Sequence, residues 1–482
     1  MLHALHALHT YFAWQELLRD AESLNLGAAE NYPTRAVAEA AETPITGKSR
    51  GTRGNDSHLI VLLDTEGYPG KRYHGGKHYL DDMERLCWKR ALQTFDLDGD
   101  DWGVNVQGES NVCPEAFPLA HKQTSVLSGS LANVFSYIAL MSPGDVVMGL
   151  QLSHGGHISH GYQTATKKIS ETAIRFTSIS YHVDVESGLI DYEGMDKLAQ
   201  QHRPRIITVG GSAYSRLIDY ERVRQIADKS GSLVHCDMSH FCGLVAAKVI
   251  PSPFPYCDLV TTTATKTFRG PLGAMIFSKK WMTNMIDQTV FPRFQAGADS
   301  SSIIALAVAL LQARTPESID QQRRVVESAK VLATELLSHG YRLCGGGTDT
   351  HLILLDLRPS GVSGSRVERV LELMHIYCNR NTVPNDKVGI SSGVRFGTAP
   401  MITRGMRVAQ FVEIAALIHQ GIQLSKALSV DASKHALERG VAEPGSFRNF
   451  LSYTGDGSAH ASIVSLRAHV MSLAKQYPPP WK

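Results

Sequence analysis

Reactive side chains follow three short stretches of apolar and β-branched residues in this sequence. Ser212 comes after "IITVGG", Asp237 and then His240 come after "SLVHC", and Lys266 comes after "LVTTTAT". Such stretches are typical of buried parallel strands, and in open α/β sheets ligands bind beyond the carboxyl ends of the strands. We therefore expect the hydroxyl, carboxylate, imidazole and amine to meet at one edge of a sheet.

This set of groups suits the cofactor pyridoxal 5'-phosphate. The Lys266 amine would form a Schiff base with the cofactor aldehyde, and Asp237 would hold the pyridine nitrogen protonated so that the ring can accept electrons. A single loop lysine is more often merely solvated. The joint placement of these groups, and not Lys266 alone, therefore indicates a cofactor site.

The stretch "SGSLAN" at 128–133 could bind the cofactor phosphate. It places Ser128, Gly129 and Ser130 immediately before a predicted helix. Hydroxyls and free backbone N–H groups would then converge on an anion at the positive end of that helix. The alternative is an ordinary helix N-cap, which is the commoner role of such a run in isolation.

The stretch "HGGHISH" at 154–160 allows two functional interpretations and a neutral one. Three histidines at this spacing could bind zinc, but no nearby Cys, Asp or Glu completes the ligand set. They could also be loop histidines with no ligand. The glycine pair permits close approach of a flat molecule, so we favour stacking of an imidazole on the cofactor ring.

The elements that position these residues alternate between strands and helices from about 98 to 280. Such alternation predicts a largely parallel sheet covered by helices on both faces. Long helical periodicity at 303–338 and a strand at 351–357 then mark a second domain. We predict an N-terminal helical arm (1–45), a large cofactor-binding domain (46–312) and a small C-terminal domain (313–482). The strands of the large domain are predicted at 145–153, 204–215, 231–240, 258–266 and 273–278, with helices at 132–141 and 220–231.

Composition sets limits on partners and compartment. The 482 residues include 43% hydrophobic and 20% charged residues, with a formal net charge of +2. This gives no general attraction to nucleic acid or to acidic membranes. The longest apolar run, 303–311, is shorter than the roughly 20 residues that span a bilayer. Seven scattered cysteines and an N-terminus without a basic signal region predict a cytoplasmic protein.

Several blocks of this sequence resemble the serine hydroxymethyltransferase family. They include "EGYPGKRYHGG" (66–76), "MGLQLSHGGHISHGY" (148–162), "DMSHFCGLVAAKVIPSP" (237–253), "TTTATKTFRGP" (261–271) and "SSGVRFGTAP" (391–400). The resemblance extends over nearly the whole chain. It implies a fold-type I pyridoxal-phosphate-dependent transferase, with a mostly parallel seven-stranded sheet between helices in a large domain and a smaller α+β C-terminal domain.

The resemblance also implies roles for matching positions. Lys266 would attach the cofactor, Asp237 would contact the pyridine nitrogen, and His240 would lie near the phenolic oxygen. His157 would stack on the ring, and the phosphate or nearby groups would be held by Ser128, Gly129, Ser130 and Ser212.

The implied reaction interconverts L-serine and tetrahydrofolate with glycine and 5,10-methylenetetrahydrofolate. Arg395 would bind the substrate carboxylate in a bidentate pair, and Glu66 would move protons. The enzyme would be a homodimer, with a tetramer as the alternative, in which Glu66, Tyr73 and the backbone near Gly297 reach the partner's site. The folate-binding positions would be Leu152, Gly156, His157 and Ile158.

Four positions depart from the family pattern, which leaves other functions open. Ala29 replaces a serine, His74 a tyrosine, Thr265 a histidine and Leu272 an arginine, and the loop before "SSGVR" is shortened. One alternative is a folate-independent pyridoxal phosphate aldolase for β-hydroxy amino acids. Another is a catalytically impaired, cofactor-binding paralogue.

Two segments, 49–65 and 108–127, interrupt family blocks and resemble insertions. We hypothesise that one or both are translated intron sequence. Peptide mass spectrometry of the native protein tests this, because peptides from 52–64, from 110–121 or from both are expected to be missing. Detection of those peptides would show that the segments belong to the mature protein.

Overall fold

The structure, a computed structural model, divides into two compact units. It describes residues 16–43, 78–106, 109–110, 128–295, 299–387 and 389–480. The large unit comprises 33–184 and 189–322, and the small unit comprises the chain up to Tyr32, 185–188 and everything from Arg323 onward. The first predicted insertion, 49–65, lies outside the described residues, as does all of the second except 109–110.

A mixed sheet forms the centre of the large unit. Its spatial order is β2-β1-β8-β7-β6-β5-β3-β4, in which β3 to β7 run parallel, whereas β8, β1 and the two-residue edge strand β2 pair antiparallel. The predicted mostly parallel sheet of seven full strands is therefore confirmed. The strands are β1 (Trp102–Val106), β2 (Glu109–Ser110), β3 (Val146–Leu150), β4 (Thr177–Tyr181), β5 (Ile206–Gly210), β6 (Leu233–Asp237), β7 (Leu259–Thr263) and β8 (Ala274–Lys279).

Burial and composition together explain which strands the sequence pattern predicts. The inner strand β5 is buried along its whole length and reads as a continuous apolar and β-branched run. The edge strand β4 is half-exposed and carries Thr177, Ser178 and Ser180. It therefore lacks an apolar run and was not predicted as a strand. The strand β1 was also not predicted, although it is buried along its whole length, because Gly103 and Asn105 interrupt its apolar pattern.

Helices cover the sheet. The helix α6 shows why they form where they do: the Asp219 side chain accepts from the backbone N–H of Arg222 at one end, and Gly231 with a φ of +72° ends the helix at the other. The helices of this unit are α1 (Arg35–Ala41), α2 (His78–Thr94), α3 (Gly129–Leu140), α4 (Glu171–Arg175), α5 (Tyr192–His202), α6 (Tyr220–Ser230), α7 (Cys242–Ala246), α8 (Lys280–Gln288) and α9 (Ser300–Gln312).

The helix α3 is packed firmly onto the sheet. Phe135 and Leu140 join a buried cluster with Ile206 and Ile276 of the sheet and with Ile286 of α8. Burying side chains of this size stabilises the fold by about 1.5–3 kcal/mol each. The cluster therefore fixes the start of α3 next to the carboxyl ends of the central strands.

The small unit contains an antiparallel sheet of order β9-β10-β12-β11 and a two-stranded parallel pair of Leu24–Asn25 with Ile376–Tyr377. Its elements are β9 (Arg342–Leu343), β10 (Leu352–Asp356), β11 (Asn379–Asn381) and β12 (Gly393–Gly397), most of α10 (Pro316–Ser338), and α11 (Gly364–Leu373), α12 (Ala399–Thr403), α13 (Gln410–Glu438), α14 (Phe447–Thr454) and α15 (Ala461–Lys475). Among the described helices, none is long and apolar enough to cross a membrane.

Arg404 ties distant segments of the small unit together. Its buried guanidinium donates to the backbone carbonyls of Asp20, Ser23, Ala474 and Tyr477 at 2.6–2.9 Å. These carbonyls belong to the first described residues and to the end of the chain. One side chain therefore donates to four backbone carbonyls, of which that of Ala474 also accepts from the N–H of Tyr477.

We expect Arg404→Lys to lower the free energy of unfolding by about 3 kcal/mol. A lysine amine keeps the charge but cannot reach four separate carbonyls, and buried acceptors without donors are costly. The measurement is the urea midpoint of the purified protein. The exposed Arg407→Lys is the matched control and should change stability by less than about 0.5 kcal/mol. Equal midpoints for the two variants would contradict this role.

Candidate active site

A cavity of about 210 Å³ lies at the carboxyl ends of β5, β6 and β7 in the large unit. This is the position in which open α/β sheets bind ligands. Eight of the residues predicted from the sequence line it together. The lining consists of Ser128, Gly129, Ser130, His157, Gly211, Ser212, Asp237, Ser239, His240, Thr263, Thr265, Lys266, Leu272 and Gly273.

The start of α3 forms one wall of this cavity. Ser128 caps the helix, with its Oγ accepting from the N–H of Leu131 at 3.3 Å. A Cβ added to Gly129 would lie 3.0 Å from Ser239 Oγ and 3.2 Å from Thr263 Cγ2. Glycine therefore lets the helix start lie against β7, and Ser128, Gly129 and Ser130 line the cavity there, where a helix N-terminus favours an anion.

Asp237 ends β6 and is buried. Its Oδ2 accepts from Asn133 Nδ2 at 2.8 Å and from His160 Nε2 at 3.1 Å, and its Oδ1 accepts from the N–H of Ser239 at 3.0 Å. Burial alone would raise the pKa of Asp237, but the His160 hydrogen bond, the nearby imidazoles and the Ser239 N–H hold that pKa well below its usual value. The cavity thus contains a carboxylate that stays ionised at neutral pH.

His157 is a neutral imidazole at the same cavity. Its Nδ1 accepts the backbone N–H of Ser159 at 3.2 Å and contacts Ser159 Oγ at 2.7 Å. Burial lowers the pKa of His157 to about 4, and the neighbouring His160 acts in the same direction. An uncharged, oriented aromatic ring suits stacking on a flat ligand.

The histidines of 154–160 do not gather as one metal-binding set. His154 lies against His182, with ring centroids 4.9 Å apart, and its Nδ1 accepts from the N–H of Val183. Ligand atoms of His157, His160 and Asp237 do lie within 4.8 Å of one another. Because His160 Nε2 and Asp237 Oδ2 already share a hydrogen bond, their geometry serves the carboxylate.

Glycines lock the loop that carries His157 to the end of β5. A Cβ on Gly211 would lie 2.2 Å from the carbonyl oxygen of Gly155, and one on Gly156 would lie 1.9 Å from that of Leu150. The N–H of Ser212 donates to the same Gly155 carbonyl at 2.8 Å. A side chain on Gly211 would force the two loops apart, and one on Gly156 would collide with the end of β3.

Lys266 occupies a strained turn directly after β7. Its φ is +48°, in the left-handed region that costs a non-glycine residue about 1 kcal/mol or more. Thr267 holds this turn: its hydroxyl donates to the carbonyl of His240, and its own carbonyl accepts from Gln322 Nε2 at 2.8 Å. The amine-bearing residue is thus fixed to the segment that follows Asp237.

The remaining predicted residues fall in three groups. The expected folate positions Leu152, Gly156 and Ile158 lie in the loop that carries His157, where Ile158 is half-exposed. Arg395 belongs to β12 of the small unit and Ala29 to the same unit. Residues outside the described ranges are Glu66, Tyr73, His74 and Gly297.

Arg395 is buried in β12, where its Nη2 donates to Asn379 Oδ1 at 3.1 Å. Burial lowers the pKa of Arg395 to about 10. The guanidinium therefore keeps its charge at neutral pH and remains able to bind a carboxylate.

Sequence reasoning missed several residues around the cavity. Asn133 and His160 contact Asp237 directly, and Ser239 and Thr263 add hydroxyls to the wall. A signal for Asn133 was present, since it lies four residues after Gly129 and is the one amide on an otherwise apolar or small-residue stretch.

The side chains around the cavity are chemically suited to pyridoxal phosphate. The capped helix start and its hydroxyls can hold a phosphate, the ionised Asp237 can pair with a protonated ring nitrogen, and the Lys266 amine can react with an aldehyde. The absence of a Cβ at Gly129 lets the helix start lie against Ser239 and Thr263, which line the same cavity. Anion site, carboxylate and amine thus share one cavity.

Comparison with known proteins agrees with this arrangement. A sequence model of the family "Serine hydroxymethyltransferase" matches residues 10–418. A mitochondrial serine hydroxymethyltransferase of Schizosaccharomyces pombe is 43% identical over 96% of this chain and 90% of its own length. A cytosolic one of Aspergillus fumigatus is 42% identical over 97% of this chain and 93% of its own. A chloroplastic one of Arabidopsis thaliana is 40% identical over 96% and 81%. On this evidence the chain belongs to the serine hydroxymethyltransferase family.

Proposed function

We propose that this chain uses pyridoxal 5'-phosphate to interconvert L-serine and tetrahydrofolate with glycine and 5,10-methylenetetrahydrofolate. The observation that carries the proposal is one cavity lined by Lys266, Asp237, His157 and the serine-rich start of α3. Membership of the family supplies the substrates. The cavity supplies the groups that the cofactor needs.

Different residues of the cavity would hold different parts of the cofactor. Ser128, Gly129, Ser130 and Ser212 would hold the phosphate, while Lys266 would hold the aldehyde carbon covalently. When bound, pyridoxal phosphate supplies a ring that accepts electrons from the bond broken at the substrate. His157 would keep the ring in place by stacking, and His240 would contact its phenolic oxygen.

The protein's own groups control charge and protons. The ionised Asp237 would keep a proton on the pyridine nitrogen of the bound cofactor, because an anion beside that nitrogen favours its charged form. Arg395 would bind the substrate carboxylate as a bidentate pair, and Glu66 would exchange protons with the substrate. Leu152, Gly156, His157 and Ile158 would form the folate-binding loop.

We also propose a homodimer, with a tetramer as the alternative, in which Glu66, Tyr73 and the backbone near Gly297 complete the partner's site. The predicted arm (1–45), large domain (46–312) and small domain (313–482) are part of this proposal. We place the protein in the cytoplasm, whereas the similar proteins are named as cytosolic, mitochondrial or chloroplastic.

A second candidate function is folate-independent cleavage of β-hydroxy amino acids. Two observations favour it. Leu272, an apolar residue that is 69% exposed, lines the cavity where the family has an arginine. The shortened loop before "SSGVR" is closed by Asp386 Oδ2, which accepts from the N–H groups of Val383 and Ser392. A catalytically impaired paralogue is the third alternative.

One set of assays on the recombinant protein with added pyridoxal phosphate separates these functions. We expect serine cleavage that depends on tetrahydrofolate, because the chain belongs to the family. Cleavage of allo-threonine or phenylserine with no response to folate would instead establish the aldolase. Cofactor binding without turnover of any of these substrates would establish the impaired paralogue.

We expect Lys266→Ala to abolish the visible absorbance of covalently attached cofactor and to lower turnover by about 10³-fold or more, because no other amine lines the cavity described here. The control is Lys229→Ala, an exposed lysine on α6 that pairs with Asp196. It should behave like the unaltered protein. A persistent absorbance band in Lys266→Ala would rule out this lysine as the attachment point.

A further inference from the structure

The amide of Asn133 joins two groups of the proposed cofactor site. Its Nδ2 donates to Asp237 Oδ2 at 2.8 Å and to Ser159 Oγ at 2.9 Å, and Ser159 in turn holds His157. Its Oδ1 accepts from Thr261 Oγ1 at 2.5 Å. Asn133 is fully buried. If the amide turned over, its oxygen would face the carboxylate, so the direction of this amide matters for both Asp237 and His157.

Thr261 also contacts a buried histidine, His235. His235 is the middle residue of β6, and its side chain is completely shielded from solvent. Its Nε2 lies 2.8 Å from Thr261 Oγ1, and its Nδ1 lies 3.2 Å from both Tyr137 OH and Thr208 Oγ1. Burial lowers the pKa of His235 to about 3, so the ring is neutral and carries one proton.

Counting protons fixes the direction of the bonds that join His235, Thr261 and Asn133. Thr261 has one hydroxyl proton, and it goes to Asn133 Oδ1, which can only accept. Toward His235 the Thr261 oxygen must therefore accept, which places the imidazole proton on Nε2. The bare Nδ1 then accepts from Tyr137 or Thr208, which are themselves 2.9 Å apart.

The donors therefore point one way, from Tyr137 and Thr208 through His235 and Thr261 to Asn133, and from there to the carboxylate. Hydrogen bonds in such a series polarise one another, and their effect is large where water is excluded. The Nε2–H of His235 occupies the Thr261 oxygen and so holds the Thr261 proton on Asn133.

We propose that His235 is a positioning residue for the cofactor. Through Thr261 it fixes the Asn133 amide, which presents donors to Asp237 and, through Ser159, orients His157. The inference rests on the proposed function only in that Asp237 and His157 hold pyridoxal phosphate. His235 lines no part of the cavity and acts only through its neighbours.

The simpler view is that His235 only fills space in the core. The two views differ for side chains of similar size. Methionine fills the space but cannot donate to Thr261. Glutamine offers both an N–H for Thr261 and an oxygen for Tyr137 or Thr208, so it reproduces the hydrogen-bonding pattern of the Nε2–H imidazole.

The tautomer can be tested on the protein without cofactor. In ¹⁵N NMR spectra of histidine-labelled protein, we expect one neutral imidazole protonated at Nε2 through the range from pH 5 to pH 8, its signal identified by its loss in His235→Gln. A signal from a ring protonated at Nδ1, or one that titrates in this range, would overturn the proposed direction of the chain. This result is independent of whether the protein binds pyridoxal phosphate.

Cofactor binding tests the positioning role. We expect His235→Met to weaken pyridoxal phosphate binding by about fivefold to twentyfold and to shift the visible spectrum of the bound cofactor. The His235→Gln protein should keep most of the affinity for pyridoxal phosphate and most of the visible spectrum of the unaltered protein. The control is Ser136→Ala, a buried residue on α3 whose hydroxyl donates only to Ala132 within the same helix. The affinity of the Ser136→Ala protein for pyridoxal phosphate should stay within twofold of that of the unaltered protein.

Wild-type affinity and spectrum in a folded His235→Met protein would show that His235 only fills space. If that variant does not fold, Thr261→Val makes the same test, because it cuts the chain between His235 and Asn133 while keeping a β-branched shape. It should lose affinity as His235→Met does, and adding His235→Gln to it should change little. If the unaltered protein binds no pyridoxal phosphate, the proposed function fails, whereas the NMR result still decides the hydrogen-bond chain.

Discussion

A carboxylate that must stay ionised inside the protein is the constraint around which the large unit is arranged. An isolated buried charge is costly, and Asp237 remains charged only because an imidazole, a side-chain amide and a backbone N–H all donate to it. Those donors come from the loop after β3, from α3 and from the segment after β6. The cluster that anchors α3 to the sheet therefore also keeps Asn133 within reach of the carboxylate.

Close packing constrains the backbone around the cavity. Gly129, Gly156 and Gly211 each occupy a place where a Cβ would meet another part of the chain at 3.0 Å or less. Lys266 accepts an unfavourable φ in order to stand after β7 beside the segment that follows Asp237. Local cost at these positions is offset by the packing of the strands that carry them.

The parts of the site that could be predicted from sequence are those whose signal is local. Lys266, Asp237 and the Ser128 helix cap each follow or precede a clear strand or helix pattern, so their positions at one sheet edge could be inferred from the residues alone. The sequence marks Asn133 as an unusual amide but does not reveal its role, because its partners Asp237 and Thr261 lie 104 and 128 residues away. The strand β4 was missed because a half-exposed edge strand needs no continuous apolar run.

The order of strands in the sheet also limits when this site can form during synthesis of the chain. Trp102 pairs with Lys279, and β3 lies between two strands that both follow it in the chain. Such distant pairings form slowly, since a long loop must close before any contact rewards it. Because Lys266 and β8 come late in the large unit, a nascent chain on the ribosome cannot hold the complete site until most of that unit has been synthesised, so the cofactor can stabilise the finished fold but cannot act as a template for its early steps.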